Sequence, residues 1–361
     1  YRPAGIPIQS SPICLYENFP FRPVDYCLLE ADTICSGVTG NTTAKITSQH
    51  GLIYDSLISR AGREIADGYL RANELALKRY KDLGWLIDCD MKEVDSYVFD
   101  RMDAEKLKRE AAAVMQLGFP AEYVEQVDLP FETAGAVRFP NQAQFHPLKF
   151  VAAIAKNLNI YEHSPVREMT EYFALTDHGS VAAEKVIVAT HFPFINRRGS
   201  YFVKLYQERS YVLSLKNTEI PDGIYLEAKK GGLSLRGYED TLLLGGITHR
   251  TGKEPDGFEK LREQAKLYFP EAEITGQWAA QDCMTLDGLP YIGNYSSSTP
   301  DLFVAGGFGK WGMTGAMISA IVLSDLVQGR ENEFAAIFNP DRKSTRLNSS
   351  HVALSRMPSS A

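Results

Sequence analysis

The chain has 361 residues, of which 44% are hydrophobic and 23% charged, a balance that excludes a wholly disordered polymer and leaves room for two domains sharing a core. A formal net charge of −7 gives no overall pull toward nucleic acid or an anionic membrane. Cys14, Cys27, Cys35, Cys89 and Cys283 form no C-x-x-C pair and no zinc-like spacing, which suits reduced thiols in a cytoplasmic protein, and no run approaches the about 20 apolar residues that span a bilayer.

Residues 1–23 carry five prolines and no sustained periodicity, so order is expected to begin after them. The run VDYCLLEAD from Val24 reads as a short buried strand ending in Glu30, followed by the Gly- and Thr-rich loop TICSGVTGNTTAKITS. From Leu52 to Leu83 apolar residues recur at helical spacing, which predicts one long amphipathic helix. A second helix is predicted over Asp103 to Leu117, stopped by Gly118 and Pro120. A third begins at His146-Pro147, with LKFVAAIAKNL as its body and the short strand IYEHSPV after it.

VIVA, within 180–190, predicts a buried strand entering a tight turn at His191. SYVLSL, GIYLEAK, GGLSLRGY and DTLLLGGITHR then predict an antiparallel sheet joined by hairpins, suited to a substrate wall. After a helix ending near Phe269, DLFVAGG predicts a strand and WGMTGAMISAIVLSDLVQG a helix apolar nearly all round, hence buried. The Ser-rich, basic segment 343–361 resembles a translated cloning adapter and is set apart from the fold.

Several of these segments carry chemistry. A carboxylate ending a buried strand, as Glu30 does, accepts hydrogen bonds from ribose hydroxyls in dinucleotide folds, about 20 residues after a glycine-rich turn. Here that turn is absent: the chain has PAGIPI around Gly5, and proline offers no N–H to a phosphate. Gly306, Gly307, Gly309 and Gly312 make a Gly-dense turn just before a helix start, where N–H groups and the helix dipole favour negative charge, or a turn that only packs a buried helix on the sheet.

In order along the chain, GVTGNTTAKITSQHG, VREM, KVIVATHFP, DGLPYIG and VAGGFGKWGMTGAM together resemble the D-amino-acid-oxidase superfamily of FAD enzymes. The resemblance covers about Val24 to Arg342, and GNTTAKITSQHG and GGFGKWGMT point to the subgroup that carries a C-terminal Rieske iron–sulfur domain. It implies an α/β fold: a Rossmann-like three-layer FAD-binding domain over 24–75, 140–195 and 276–342, and a second, α+β substrate domain on an antiparallel sheet over 76–139 and 196–275. Residues 1–23 stand where the family has its first strand and G-x-G-x-x-G, and residues 343–361 stand where the subgroup continues toward its Rieske domain with a [2Fe-2S] cluster.

The resemblance further implies that Glu30 binds the adenosine ribose, and that Gly37, Thr39, Gly40, Asn41, Thr42 and Thr43 line the pyrophosphate and flavin edge. Val166 would lie against adenine and Ala189 and Thr190 beneath the cofactor. Gly307, Phe308, Gly309, Lys310, Trp311, Gly312, Met313 and Thr314 would border the flavin ring. The implied reaction moves a hydride from the carbon beside an amine to flavin N5, with a small amine or amino acid as substrate and no metal.

Candidates for the catalytic side are His50, Arg236, His249, Lys310 and Trp311, with Arg209 and Tyr211 beside them; an arginine is the natural clamp for a carboxylate. Plainer readings stand next to these. His50-Gly51 closes a turn, Arg236 pairs with Glu239 or Asp240, His249-Arg250 belongs to a solvated turn, and Trp311 is core. Two other functions stay open: a remnant that cannot hold FAD, and an electron-transfer flavoprotein coupled to a Rieske partner.

Overall fold

The computed structural model describes residues 25–195, 198–253 and 256–342. The expectations placed on the proline-rich start and on segment 343–361 lie outside the described residues.

Leu28–Leu29, both buried, form a parallel pair with Ile160–Tyr161, and Glu30 follows at the carboxyl end of the first strand. A second parallel pair joins Val186–Val188 to Leu302–Gly306, with Tyr291–Asn294 antiparallel on its far side. The apolar runs in these strands are continuous rather than alternating because both faces are covered. Val166–Met169, Phe173–Thr176 and Gly179–Ala182 make a separate antiparallel meander. Val166 therefore opens this meander, whereas the strand directly after the His146 helix is Ile160–Tyr161.

The remaining strands form one nine-stranded sheet. Its core is the expected antiparallel set Leu205–Lys216, Ile224–Glu227, Ser234–Tyr238 and Thr241–Arg250. One edge is a strand of 13 residues, Glu273–Thr285. The other side continues through Lys92–Phe99, parallel to Ile224–Glu227, to Ala136–Gln144 and Lys45–Ile46, with Glu122–Val124 beside Ala136–Gln144. Two expected domain limits, 139/140 and 275/276, fall within the strands Ala136–Gln144 and Glu273–Thr285, so continuous strands cross both expected boundaries.

The long helix predicted over 52–83 is two helices, Tyr54–Ala61 and Arg63–Gly84. Gly62, at φ 90° and ψ 162°, ends the first and begins the second, a conformation that side-chain-bearing residues avoid. Helical spacing on either side hides such a break because the apolar face continues across it. The other helices follow their signals: Asp103 caps Ala104–Gln116 by accepting from Lys106 N, and His146 caps Pro147–Ala155 with proline in the first turn. Gly312–Val327 is buried along most of its length and packs on Arg63–Gly84 in the largest apolar cluster. No helix among the described residues is long and apolar enough to cross a membrane. No disulfide joins any two of the described cysteines, Cys27, Cys35, Cys89 and Cys283.

Candidate active site

The Gly37–Thr43 loop starts from the strand that ends in Glu30. Glu30 is 4% exposed and its Oε1 accepts from Asp32 N at 3.1 Å. Val38–Asn41 turns as a short 3-10 helix, and Asn41 Nδ2 donates to Gly37 O at 2.9 Å. A methyl at Gly40 would lie 2.2 Å from Cys35 O, so only glycine lets the loop fold back on itself here.

This loop rests on the large sheet. Trp278, Val212, Gly245 and Ser234 are directly paired across four strands and therefore share one face. Trp278 Nε1 donates to Asn41 O at 2.9 Å from that row, and Ser234 Oγ accepts from Lys45 Nζ. Four residues along the same strand, on the same face, Asp282 pairs with Glu208, and Glu208 with Arg250. At about 3.3 Å per residue the two rows are about 13 Å apart. Arg250 stacks over the Tyr206 ring with its guanidinium carbon 5.5 Å from the centroid.

The second glycine-rich segment reaches the same face. Lys310 Nζ donates to Ser210 Oγ at 2.8 Å and to Asp282 Oδ2 at 3.0 Å, and lies 3.8 Å from Glu208 Oε2. Gly309 N donates to Cys283 O at 2.9 Å. Gly307, at φ 68°, is packed so tightly that a methyl would lie 2.5 Å from Thr285 Cγ2. Gly312 then begins a helix of 16 residues with no side-chain cap and no acid in its first turn, which leaves the field of its N-terminus unopposed by its own residues.

His50 joins the two segments. Its ring lies 4.4 Å from that of Trp311 at an interplanar angle of 14°. Nε2 sits 2.8 Å from Thr47 O, and since a carbonyl can only accept, Nε2 carries the proton; Thr314 Oγ1 lies 3.2 Å from the same atom. Nδ1 therefore accepts from Tyr69 OH at 2.6 Å. Burial pushes His50 down to about 3, so it is a neutral, doubly engaged imidazole. Beside it lies a cavity of about 320 Å³ whose walls include Arg60, Tyr69, Met284, Thr285, Lys310 and Trp311.

Of the other sequence candidates, Arg236 does not pair with Glu239 or Asp240. It is 3% exposed, and its guanidinium donates to Thr43 O, to Ala44 O at 3.1 Å and to Phe145 O at 3.2 Å, tying the loop to the sheet. Asp240 pairs with Lys216 instead. Nor is His249 in a solvated turn: it is 7% exposed, and its Nε2 lies 2.9 Å from Tyr211 OH. His249 is paired with Arg209, and the Tyr211 ring lies 4.7 Å from that of Phe258, so these three residues lie on the opposite face, with Tyr211 against helix Gly257–Tyr268 and Arg209 exposed. Ala189 is buried, and Thr190 leads into His191, whose φ of 62° makes the tight turn. Trp311 is partly buried and forms a wall of the cavity.

The residues present fit an FAD. A methyl at Gly37 or Gly312 would meet nothing within 4 Å, so both glycines border open space where a cofactor would pass. The buried Nε2 of His191, just past Thr190, has no hydrogen-bond partner among the described residues. Glu30, the Gly37–Thr43 loop and the start of helix Gly312–Val327 would hold the group, which when bound supplies a two-electron acceptor.

Sequence reasoning missed Lys45, Ser210, Glu208, Asp282, Trp278 and Tyr69. Period-two alternation could have put Glu208 with Ser210 and Trp278 with Asp282, but nothing local pairs two strands about 70 residues apart.

Comparison with known proteins identifies the family. The family model described as "DAO: FAD dependent oxidoreductase" matches residues 21–326. The chain belongs to this family. It is 34% identical over 337 residues to the Rieske 2Fe-2S iron-sulfur protein YhfW of Bacillus subtilis, covering 87% of this chain and 66% of that protein. The chain thus spans just under two thirds of that relative's length. Among solved structures it is similar to glycine oxidase from Geobacillus kaustophilus, with a TM-score of 0.72 and 21% identity over 88% of this chain and 92% of that one. It is also similar to L-amino acid deaminase from Proteus vulgaris, with a TM-score of 0.75 and 17% identity over 94% of this chain and 93% of that one. At these identities the likeness establishes the shared mixed α/β fold with its large mixed sheet.

Proposed function

We propose that this chain oxidises the carbon beside the nitrogen of a small amine or amino acid, with FAD bound non-covalently as the acceptor of the hydride at N5. The observation that carries this reading is the convergence of Gly37–Lys45 and Gly307–Thr314 on one face of the large sheet, through Trp278–Asn41 at one end and Lys310–Asp282 at the other.

In this reading the protein works by orientation and exclusion of water rather than by a strong base. His50, neutral with both ring nitrogens engaged, keeps Trp311 and Thr314 in place. Lys310, Ser210 and Asp282 line the substrate side of the cleft. Arg209, Tyr211 and His249, on the far face, have no contact with the reacting atoms.

The test is anaerobic mixing of FAD-loaded protein with a panel of amino acids and amines, following the flavin's visible band. Bleaching by at least one member supports the reading, and a band unchanged by the whole panel but bleached by dithionite contradicts it. A second reading, suggested by the likeness to a Rieske iron–sulfur protein, passes the electrons on to an iron–sulfur domain rather than to oxygen. Fast reduction of an artificial electron acceptor with slow oxygen uptake favours it.

A further inference from the structure

Lys310 brings a positive charge to the wall of the cavity, and two carboxylates of the large sheet meet it there. Asp282 Oδ2 accepts from Nζ at 3.0 Å and Glu208 Oε2 lies 3.8 Å away. Ser210 Oγ accepts from Nζ at 2.8 Å and donates to Asp282 Oδ2 at 3.2 Å. Glu208 and Asp282 are directly paired on neighbouring strands, an arrangement in which like charges repel unless a cation lies between them. Their side chains are only 6% and 13% exposed. Lys230, 3.6 Å from Glu208 Oε1, is 77% exposed, so water screens its charge and Lys310 is the sheltered counter-ion of both acids.

The rest of the wall adds little free charge. His50 is neutral, and Arg60 donates from Nη1 to the carbonyl of Asp287, in the field of the Asp287 carboxylate. Thr285, on the same wall, is 5% exposed, and its Oγ1 has no hydrogen-bond partner among the described residues. The cavity therefore offers an unused neutral hydroxyl beside a lysine whose charge is already answered. A carboxylate drawn to Lys310 meets Asp282 and Glu208 at the same time, and in a sheltered place their repulsion offsets the attraction. An amine without a carboxylate meets no such repulsion, and a hydroxyl can accept its N–H.

We infer that Asp282 and Glu208 set the specificity of the site: by neutralising Lys310 they remove the gain from a carboxylate, and the donors are simple amines rather than amino acids. This rests on the function proposed above and narrows its substrate class. Lys310 faces the ligand, and the two acids are positioning residues that act through it.

Two comparisons test it. In the first, FAD-loaded protein is titrated with propionate and with its neutral isostere propionamide, neither of which carries an oxidisable amine, and binding is read from the flavin's visible spectrum. The natural chain should bind propionate no more tightly than propionamide. Asp282→Asn and Glu208→Gln each unmask charge on Lys310 and should tighten propionate about tenfold while leaving propionamide unchanged. Asp282→Glu, which keeps the charge, should behave as the natural chain does. In the second, the natural chain is mixed anaerobically with isobutylamine and with either enantiomer of valine, which differs from it by the carboxylate. The flavin should bleach about tenfold faster with the amine.

Propionate bound about tenfold more tightly than propionamide by the natural chain overturns the inference, and that measurement needs no variant to fold. So do Asp282→Asn and Glu208→Gln proteins that hold FAD yet bind propionate no better than the natural chain, since the acids then mask nothing. Bleaching by valine but not by isobutylamine overturns it too and leaves the proposed oxidation standing. If neither donor bleaches the flavin and no other member of the panel does, the proposed reaction fails, while the propionate comparison still decides the role of Asp282 and Glu208.

Discussion

Glu110 offers a quantitative check on how the cavity wall is held. Its side chain reaches across from helix Ala104–Gln116 to the start of helix Tyr54–Ala61, where Oε1 accepts from Tyr54 N and Oε2 from Asp55 N, each at 2.8 Å. That helix carries Ser56 and Arg60 into the cavity. Glu110 is 1% exposed, and burial raises its carboxyl from 4.5 to about 7 despite the two backbone donors.

A folded-state value above the unfolded one means that the folded protein binds the proton more tightly. The stability this contributes is complete below about pH 4.5 and is lost as pH rises through 7. A shift of this size corresponds to about 3 kcal/mol across that window. Glu110→Gln abolishes the titration, so urea unfolding at a series of pH values should show the natural chain losing about 3 kcal/mol relative to the variant between pH 4.5 and 8. Glu110→Ala strands two buried N–H groups and should cost about 2–5 kcal/mol at pH 5. Parallel stability curves for the natural chain and Glu110→Gln would refute the reasoning.

Three further outcomes follow from the geometry. Gly40→Ala forces a methyl against Cys35 O and should weaken FAD binding at least tenfold by fluorescence titration, with little change in the melting temperature of the unloaded protein. Tyr69→Phe strands Nδ1 of His50 and should lower stability by about 1–3 kcal/mol in chemical denaturation, and unchanged stability would show that the His50–Tyr69 contact is dispensable. Arg342→Lys breaks the paired contacts at 2.8 and 2.9 Å to Asp287 and should lower the melting temperature measurably, while the exposed Lys78–Asp82 pair can be broken with no effect.

Much of the scaffold was legible because its signals are local. Glu30 at the end of an apolar pair, Asp103 and His146 as helix caps, and the glycines before an all-apolar helix each declare themselves within a few residues. The strands Lys92–Phe99 and Ala136–Gln144 did not, because charges and a proline interrupt them and their pairing comes from distant chain. The site residues divide in the same way. Lys45 reads as an ordinary loop lysine until Ser234, 189 residues on, and Arg236 come up beside it. His249 and Tyr211 look like site residues in sequence because a strand carries both faces, and only the position of helix Gly257–Tyr268 tells which face is covered.

The central claim is that a flavin lies between the Asn41–Lys45 segment and the Gly307–Thr314 segment against the large sheet. A crystal structure of the chain grown with FAD tests it most directly. The account predicts the isoalloxazine ring touching both segments, with the helix start at Gly312 facing its pyrimidine edge. FAD seated elsewhere, or touching only one of the two segments, would contradict it.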